Sequence, residues 1–540
     1  MKNNNLPSLV ESLLIKAEQL GLIKTRDLTY LRNQFYQKLK IEGQVEPIHG
    51  APISLADICK KIVNNLDKSV ANVLGSNHDI IEANIINTLI PMPSIIEDRF
   101  GNLLKQTDIK TALDWYYEYC CHTNAIKMND IDKNISWQTK TIFGNLQIII
   151  SQSDSEQKSY GIGRGKVFES KNADVSHPGC QLCIENEGSF GNLYHPSSAN
   201  HRLLEIKLDD NSWFFQYYPY SCYNQHAIII STEHKDVLIN QQMFKNFVSF
   251  VDQVPHYFIG SNSDVPVAVV GDSILTHDHY MAGFHVFPLD VAEIKFEHKI
   301  KQYPTVRLNY LNWPVSTLKL IGSKDNLLDL TEVIVNLWSK YNDEALGIIS
   351  HTKNQQHNSV TPIMRKLNND QYCLYLLLRN NRTSVKYPEG IFHPHPNLHH
   401  IKKENIGLSE VMGLAVLPDH LLSEVNEIKT LLLLNNKELA ITELLFDSNL
   451  VKHELWLDEL YTKYESFNLL TVNDILQAEI GFKFNQMLVD TGIFKNTPAG
   501  DDGIIKFLNS IENFVGSVNE TSPILASNKI TSNPAHTRLL

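Results

Sequence analysis

The spacing of apolar residues changes near residue 125, and that change constrains the fold more than any other feature of the chain. Leu6, Leu9, Val10, Leu13, Leu14 and Ala17 recur every three to four positions, and the pattern continues to about Leu113 with breaks at Pro47, Pro52, Pro91 and Pro93. One face of a helix has that period, so residues 1–125 are expected to form a helical region. Beyond it, "TIFGNLQIIIS" (Thr141 to Ser151) reads as a hairpin-like strand unit. Leu203 to Leu208, Trp213 to Tyr218 and His226 to Ser231 read as strands. "NQQMFKNFVSFVDQV" then places Met243, Phe244, Phe247, Val248 and Val251 on one helix face. Strands followed by a helix that covers them predict an α+β layout for 126–295.

Strand and helix signals return from about Phe296 to Arg382, with "VRLNYLNWP", "ALGIISHT" and "YCLYLLLR" as strand candidates, and imply a second α/β half over 296–415. Residues 416–540 look mostly helical, with a Ser-, Thr- and Asn-rich tail expected to fray. At 540 residues, more than one packed unit is expected. Acidic residues outnumber basic ones by 60 to 48, which disfavours a nucleic-acid partner. Charges interrupt the N-terminal apolar run, and no stretch approaches the roughly 18 apolar residues of a membrane helix, so a cytosolic protein is expected. Seven scattered cysteines do not suggest a disulfide framework.

Chemistry concentrates in two places. In "HPGCQLC", Cys180 and Cys183 have the spacing with which two thiolates reach one tetrahedral metal, although a redox pair or incidental thiols would share it. His234 and His277, at strand or loop edges nearby, are candidates to complete a metal site. In "HDH", His277 and His279 are separated by one residue and point apart in an extended chain. If His277 binds metal, His279 is left to face a phosphate, and a neutral imidazole is a competent nucleophile toward phosphorus. The second concentration, "RNNRTSVKYPEGIFHPHPNLHHIKKENIGLSEVMG", holds Arg379, Arg382, His393, His395, His399, His400, Lys402, Lys403, Asn405 and Glu410. Cations and amides in that pattern can grip a phosphate and sugar hydroxyls. "GIGRG" at Gly161 to Gly165 fits neither nucleotide-loop fingerprint.

With "CQLCIENEG", "NHRLLEI", "WFFQYYPY", "HYFIGSNSDVP", "SILTHDHY", "HNSVTPI", "GIFHPH" and "HHIKKENIGLSEVMGLAVLP" in order, the chain resembles the second, low-GC bacterial class of the galactose-1-phosphate uridylyltransferase family. The resemblance implies a histidine-triad-like nucleotidyltransferase fold with two α/β halves and added helical regions. It implies exchange of UMP between UDP-glucose and a hexose 1-phosphate through a covalent uridylyl-histidine at His279. It implies Zn2+ held by Cys180, Cys183, His234 and His277, phosphoryl oxygens oriented by Asn262, and sugar phosphate contacted by Lys403, Asn405 and Glu410. A cytoplasmic homodimer is the accompanying expectation.

The chain departs from the family where the second histidine is followed by an aromatic residue, glutamine and two glycines. Here the run is His279-Tyr280-Met281-Ala282-Gly283, and a methionine cannot donate a hydrogen bond to a phosphoryl oxygen. "DVPVAVVGDSIL" is about two residues longer than usual, Asp130 stands near an expected cation, and "SDSEQKS" replaces a basic stretch. These departures make a nucleotide-sugar hydrolase or phosphorylase, or a weakened UDP-sugar-binding relative, the alternatives to transfer.

Overall fold

Five strands and a helix occur twice in the same arrangement. The computed structural model describes residues 5–41, 53–75, 77–152, 179–192, 195–265, 274–368 and 370–521. In chain order the strands are β1 (Ile135–Thr141), β2 (Gly144–Ser151), β3 (Leu204–Leu208), β4 (Asn211–Tyr217), β5 (Ala227–Ser231), β6 (Phe258–Gly260) and β7 (His279–Gly283). They continue with β8 (Ile294–His298), β9 (Arg307–Leu311), β10 (Thr317–Gly322), the short pair β11 (His351–Thr352) and β12 (Gln355–Gln356), β13 (Asn358–Lys366), β14 (Tyr372–Asn380) and β15 (Leu414–Pro418). Ten of them form one sheet in the order β3-β4-β5-β7-β6-β13-β14-β10-β9-β8. Counted inward from either edge, each half runs first, second, third, fifth, fourth strand. A helix lies between the third and fourth strands of each half: Gln241–Gln253 in one and Lys324–Trp338 in the other. The halves meet where β6 pairs antiparallel with β13, Phe258 opposite Arg365 and Gly260 opposite Ile363.

Local chemistry explains these elements. Asn240 caps the first of those helices, accepting the N–H of Met243 at 3.0 Å. Trp213, Phe215 and Tyr217 alternate inward along β4 and pack, with Tyr280 of β7, on the face that this helix covers. On that face lie both helices and the N-terminal helices from Leu6–Gln19 to Ile109–His122. The opposite face packs against a small sheet, β1-β2-β15, and the C-terminal helices from His420–Leu432 to Val472–Thr491. An α+β fold with added helices is therefore what the chain adopts.

"NHRLLEI" fastens the N-terminal helices to the sheet. Arg202 is 6% exposed and donates to the carbonyls of Pro91 (2.6 Å), Ala199 (3.0 Å) and His201 (2.7 Å) and to Oδ1 of Asn87 (2.8 Å). Tyr116 donates to the Arg202 carbonyl, and Asn200 donates to that of Thr123 at 2.9 Å.

Three local expectations are corrected. The hairpin does not start at Thr141: Thr141 pairs with Gly144 at the turn, and β1 precedes it with polar, largely exposed residues that carry little apolar signal. "ALGIISHT" is a 3-10 turn at Glu344–Leu346 and the short β11, not one strand. Among the strands not picked out from the apolar pattern, with β6, β8, β10 and β15, is β13, which holds Pro362 in its middle. Pro362 turns its carbonyl to Ser261 (3.1 Å), just past the end of β6, so its missing N–H breaks no ladder bond.

The cysteines described are free thiols. Among the described residues no helix is long and apolar enough to cross a membrane. "SDSEQKS", "GIGRG", most of the connection Ser153 to Gly179, most of "DVPVAVVGDSIL" and the tail beyond 521 lie outside the described residues.

Candidate active site

Cys180 and Cys183 stand on a turn before the 3-10 segment Ile184–Asn186, held by the amide of Asn186, which donates to the Cys180 carbonyl at 2.8 Å. His277 leads into β7 and His234 follows β5, so the adjacent strands β5 and β7 bring both imidazoles to one corner. The Cys180 sulfur lies 3.5 Å from Nδ1 of His277, and the Cys183 sulfur lies 3.2 Å from Nδ1 of His234 and 3.7 Å from Nδ1 of His277. Ligand atoms of all four residues fall within 4.8 Å of one another.

The tautomer fits a metal. Nε2 of His277 donates to the Ser231 carbonyl at 2.9 Å, which leaves the lone pair of Nδ1 facing the sulfurs. Burial and the neighbouring Cys180 push the Cys183 thiol up to about 12, so two thiolates share this corner only with a cation between them. Two sulfurs and two imidazole nitrogens are a donor set suited to a tetrahedral metal. The redox reading of the cysteine pair fits less well, because Cys183 precedes only a single 3-10 turn, and burial and the neighbouring Cys180 raise its pKa where a reactive thiol needs it lowered.

His279 begins β7. Its Nδ1 donates to the carbonyl of His277 at 2.7 Å, which leaves Nε2 as the basic nitrogen, and burial lowers its pKa so that the ring is neutral. Tyr280 points to the helix-covered face, where its hydroxyl meets Asn246 at 3.0 Å. His279 and Met281 therefore share the other face. The β6–β7 register sets Gly260 opposite Met281, and continuing it two residues puts Asn262 level with His279. The same face carries Thr361 of β13 and Arg379 of β14, so polar residues run along one end of the sheet across both halves.

An open cleft lies along that end, lined by Asn262, Thr361, Arg379, Glu389, His393 and Asn405 among others; His279 and Met281 are not among its lining residues. Asn262 accepts the N–H of Leu408 through Oδ1 at 2.9 Å, which leaves its amide N–H groups for the cleft. Arg379 donates to the Ile406 carbonyl at 3.0 Å, and burial lowers its pKa to about 10, so the guanidinium remains charged at neutral pH. Gly260 makes room for Leu408: a Cβ there would meet Cδ1 of Leu408 at 2.8 Å and the Pro362 carbonyl at 2.9 Å.

The sequence-predicted contacts separate here. Asn262 and Asn405 line the cleft, whereas Lys403 is largely exposed and pairs with Glu389 at 3.5 Å. Glu410 is 4% exposed, pairs with Lys402 at 2.8 Å and accepts the N–H of Gly407 at 2.8 Å, holding the loop that carries Asn405. Met281 is half-buried in β7 against the second core. Asp130 pairs with Lys133 at 2.7 Å and is not among the cleft residues. Glu389 was missed by sequence reasoning. Its signal was the Pro388-Glu389-Gly390 turn, where Gly390 takes φ 142° and a Cβ would strike Cβ of His393 at 2.9 Å.

Comparison with known proteins gives the family. Residues 22–236 match the N-terminal domain of galactose-1-phosphate uridyl transferase, and residues 250–444 match the C-terminal domain. Galactose-1-phosphate uridylyltransferase of Clostridium acetobutylicum is 38% identical over 503 residues, covering 93% of this chain and 99% of that protein. Those of Fusobacterium nucleatum and Lactococcus lactis are each 38% identical, covering 93% of this chain and 98% and 99% of their own lengths. Among solved structures, yeast Ap4A phosphorylase Apa2 aligns with 54% of this chain and 82% of its own at 10% identity and a TM-score of 0.31, too slight a likeness to bear on function. Both family domains in order and relatives matched nearly end to end place this chain in the galactose-1-phosphate uridylyltransferase family.

Proposed function

We propose that this protein exchanges UMP between UDP-glucose and galactose 1-phosphate, with His279 as the group that carries the uridylyl unit. The observation that carries this reading is the Nδ1 bond of His279 to the His277 carbonyl, which orients Nε2 as a neutral nucleophile at the end of the sheet where the cleft lies. Nε2 attacks the α-phosphorus of UDP-glucose, an N–P bond forms, and the P–O bond to glucose 1-phosphate breaks. The imidazole becomes cationic, and the His277 carbonyl stabilises its remaining N–H. A phosphate oxygen of galactose 1-phosphate then attacks the same phosphorus, the N–P bond breaks, and UDP-galactose leaves with His279 neutral again. Asn262 and Asn405 supply amide donors to the phosphates and Arg379 supplies charge.

Cys180, Cys183, His234 and His277 are the residues that would hold zinc. Bound there, the metal would supply rigidity to the loop before His279 and no contact to the reacting phosphate. A cytoplasmic homodimer belongs to the same reading and is checked by cell fractionation and sedimentation. The division into 1–125, 126–295, 296–415 and 416–540 is our proposal for the working units of the chain. Hydrolysis or simple binding is less favoured, since relatives similar over almost their full length are named as transferases.

Incubation with UDP-glucose labelled at the α-phosphorus tests the reading. Wild-type protein is expected to hold acid-labile label that galactose 1-phosphate discharges as UDP-galactose. His279→Ala is expected to hold none, and label retained by that variant would refute the nucleophile.

A further inference from the structure

Beyond Arg379, the cleft wall is built of hydrogen-bond acceptors that have nothing to accept among the described residues. His393 is 3% exposed, and its Nδ1 donates to the Pro394 carbonyl at 3.1 Å, which leaves a lone pair on Nε2. That nitrogen is buried and has no hydrogen-bond partner. The Pro394 carbonyl also accepts from Nε2 of His399 at 2.9 Å, which fixes the His399 proton on that nitrogen. Oε2 of Glu389 lies 3.2 Å from Nε2 of His399, yet the N–H is aimed at Pro394, and this carboxylate oxygen too is buried without a hydrogen bond. Burial drives the His393 pKa down to about 4, so the ring is neutral. Buried polar atoms are rarely left unpaired, and two beside one cleft indicate a ligand that brings donors.

We propose that Nε2 of His393 and Oε2 of Glu389 form the hexose-reading wall of the cleft, accepting hydrogen bonds from sugar hydroxyls, with Arg379 at the phosphate end. The proposal rests on the uridylyl-transfer reading for the identity of the sugar phosphate. A cleft lined by a cation and by unpaired acceptors matches a hexose 1-phosphate, which carries an anion and a set of hydroxyl donors. Acceptor lone pairs take protons over a broad range of directions, which suits a wall that must serve two sugars differing at one carbon. Glu389, His393 and His399 are also close enough together to surround a cation. The proton that His399 gives to Pro394 occupies the nitrogen such a cation would need.

The test compares galactose 1-phosphate, its singly deoxygenated analogues and inorganic phosphate on wild type, Glu389→Gln and His393→Phe, by kcat/KM and by calorimetric binding. Wild type is expected to lose roughly 10- to 100-fold for at least one deoxy analogue. That loss is expected to shrink to within about threefold in one or both variants, while binding of inorganic phosphate stays unchanged. Variants that melt like wild type and still reject the same analogue would overturn the proposal. So would a second metal ion per chain that disappears in His393→Phe. If His393→Phe does not fold, His393→Asn and Glu389→Gln carry the comparison. Wild type that binds galactose 1-phosphate selectively yet never labels His279 would sink the transfer reading and leave the wall standing.

Discussion

Nδ1 of His279 donates to the backbone carbonyl of His277 at 2.7 Å, so a residue of the sulfur–imidazole cluster also fixes which nitrogen of its neighbour is free. Because the two histidines share this bond, disturbing the sulfur corner should disturb the nucleophile. Cys183→Ser is expected to lose zinc, measured as about one ion per chain in wild type. Uridylylation of His279 should slow by roughly 10- to 100-fold, with the UDP-glucose KM little changed. A variant that loses the metal and keeps full turnover would break this link.

Met281 shares the strand face of His279 and offers no donor to a phosphoryl oxygen. Met281→Gln should therefore accelerate formation of the uridylyl-enzyme, by on the order of a hundredfold if a full oxyanion-type donor is restored. Rapid-quench measurement of label incorporation decides the matter, and an unchanged or slower rate would show that another group already fills the role.

Glu82 tests the N-terminal region. It is 2% exposed, accepts from the Asn124 amide at 2.9 Å, and burial raises its pKa from 4.5 to about 7. The folded chain holds this proton more tightly than the unfolded chain, so stability declines as pH rises from about 4.5 through about 7 and levels off above. Glu82→Gln keeps an oxygen for Asn124 and removes that loss. It should raise the melting temperature at pH 8, by an amount worth up to about 3 kcal/mol, with the advantage vanishing near pH 4. Equal melting curves at both pH values would refute it.

Arg202 gives four hydrogen bonds to otherwise buried acceptors between the N-terminal helices and β3. Arg202→Met should destabilise the fold by about 3 kcal/mol or more, through the acceptors it leaves unpaired. Urea unfolding should show an earlier midpoint, and a shift below about 0.5 kcal/mol would mean that water replaces the guanidinium.

The cluster of Cys180, Cys183, His234 and His277 was legible because two members flank strands and two keep a fixed cysteine spacing, features that survive without knowledge of the tertiary fold. The helix at Gln241–Gln253 was legible from its one apolar face. β13 was not, since a central proline argues against a strand until the neighbouring strand is seen to end beside it. Glu410, a sugar contact by the resemblance, is buried, paired with Lys402 and bonded to the Gly407 N–H, surroundings that a loop sequence does not reveal. Glu389 carried no periodic signal, and only the turn at Gly390 brings it beside His393.

The cleft crosses the line where β6 meets β13, so the nitrogen we assign to attack stands on one repeat and the wall we assign to the sugar hangs from the other. On that assignment, reactivity and acceptor choice are housed in different modules of one continuous framework. New acceptors could be recruited by redrawing the loop after β14 alone, while the phosphorus chemistry on β7 goes on undisturbed.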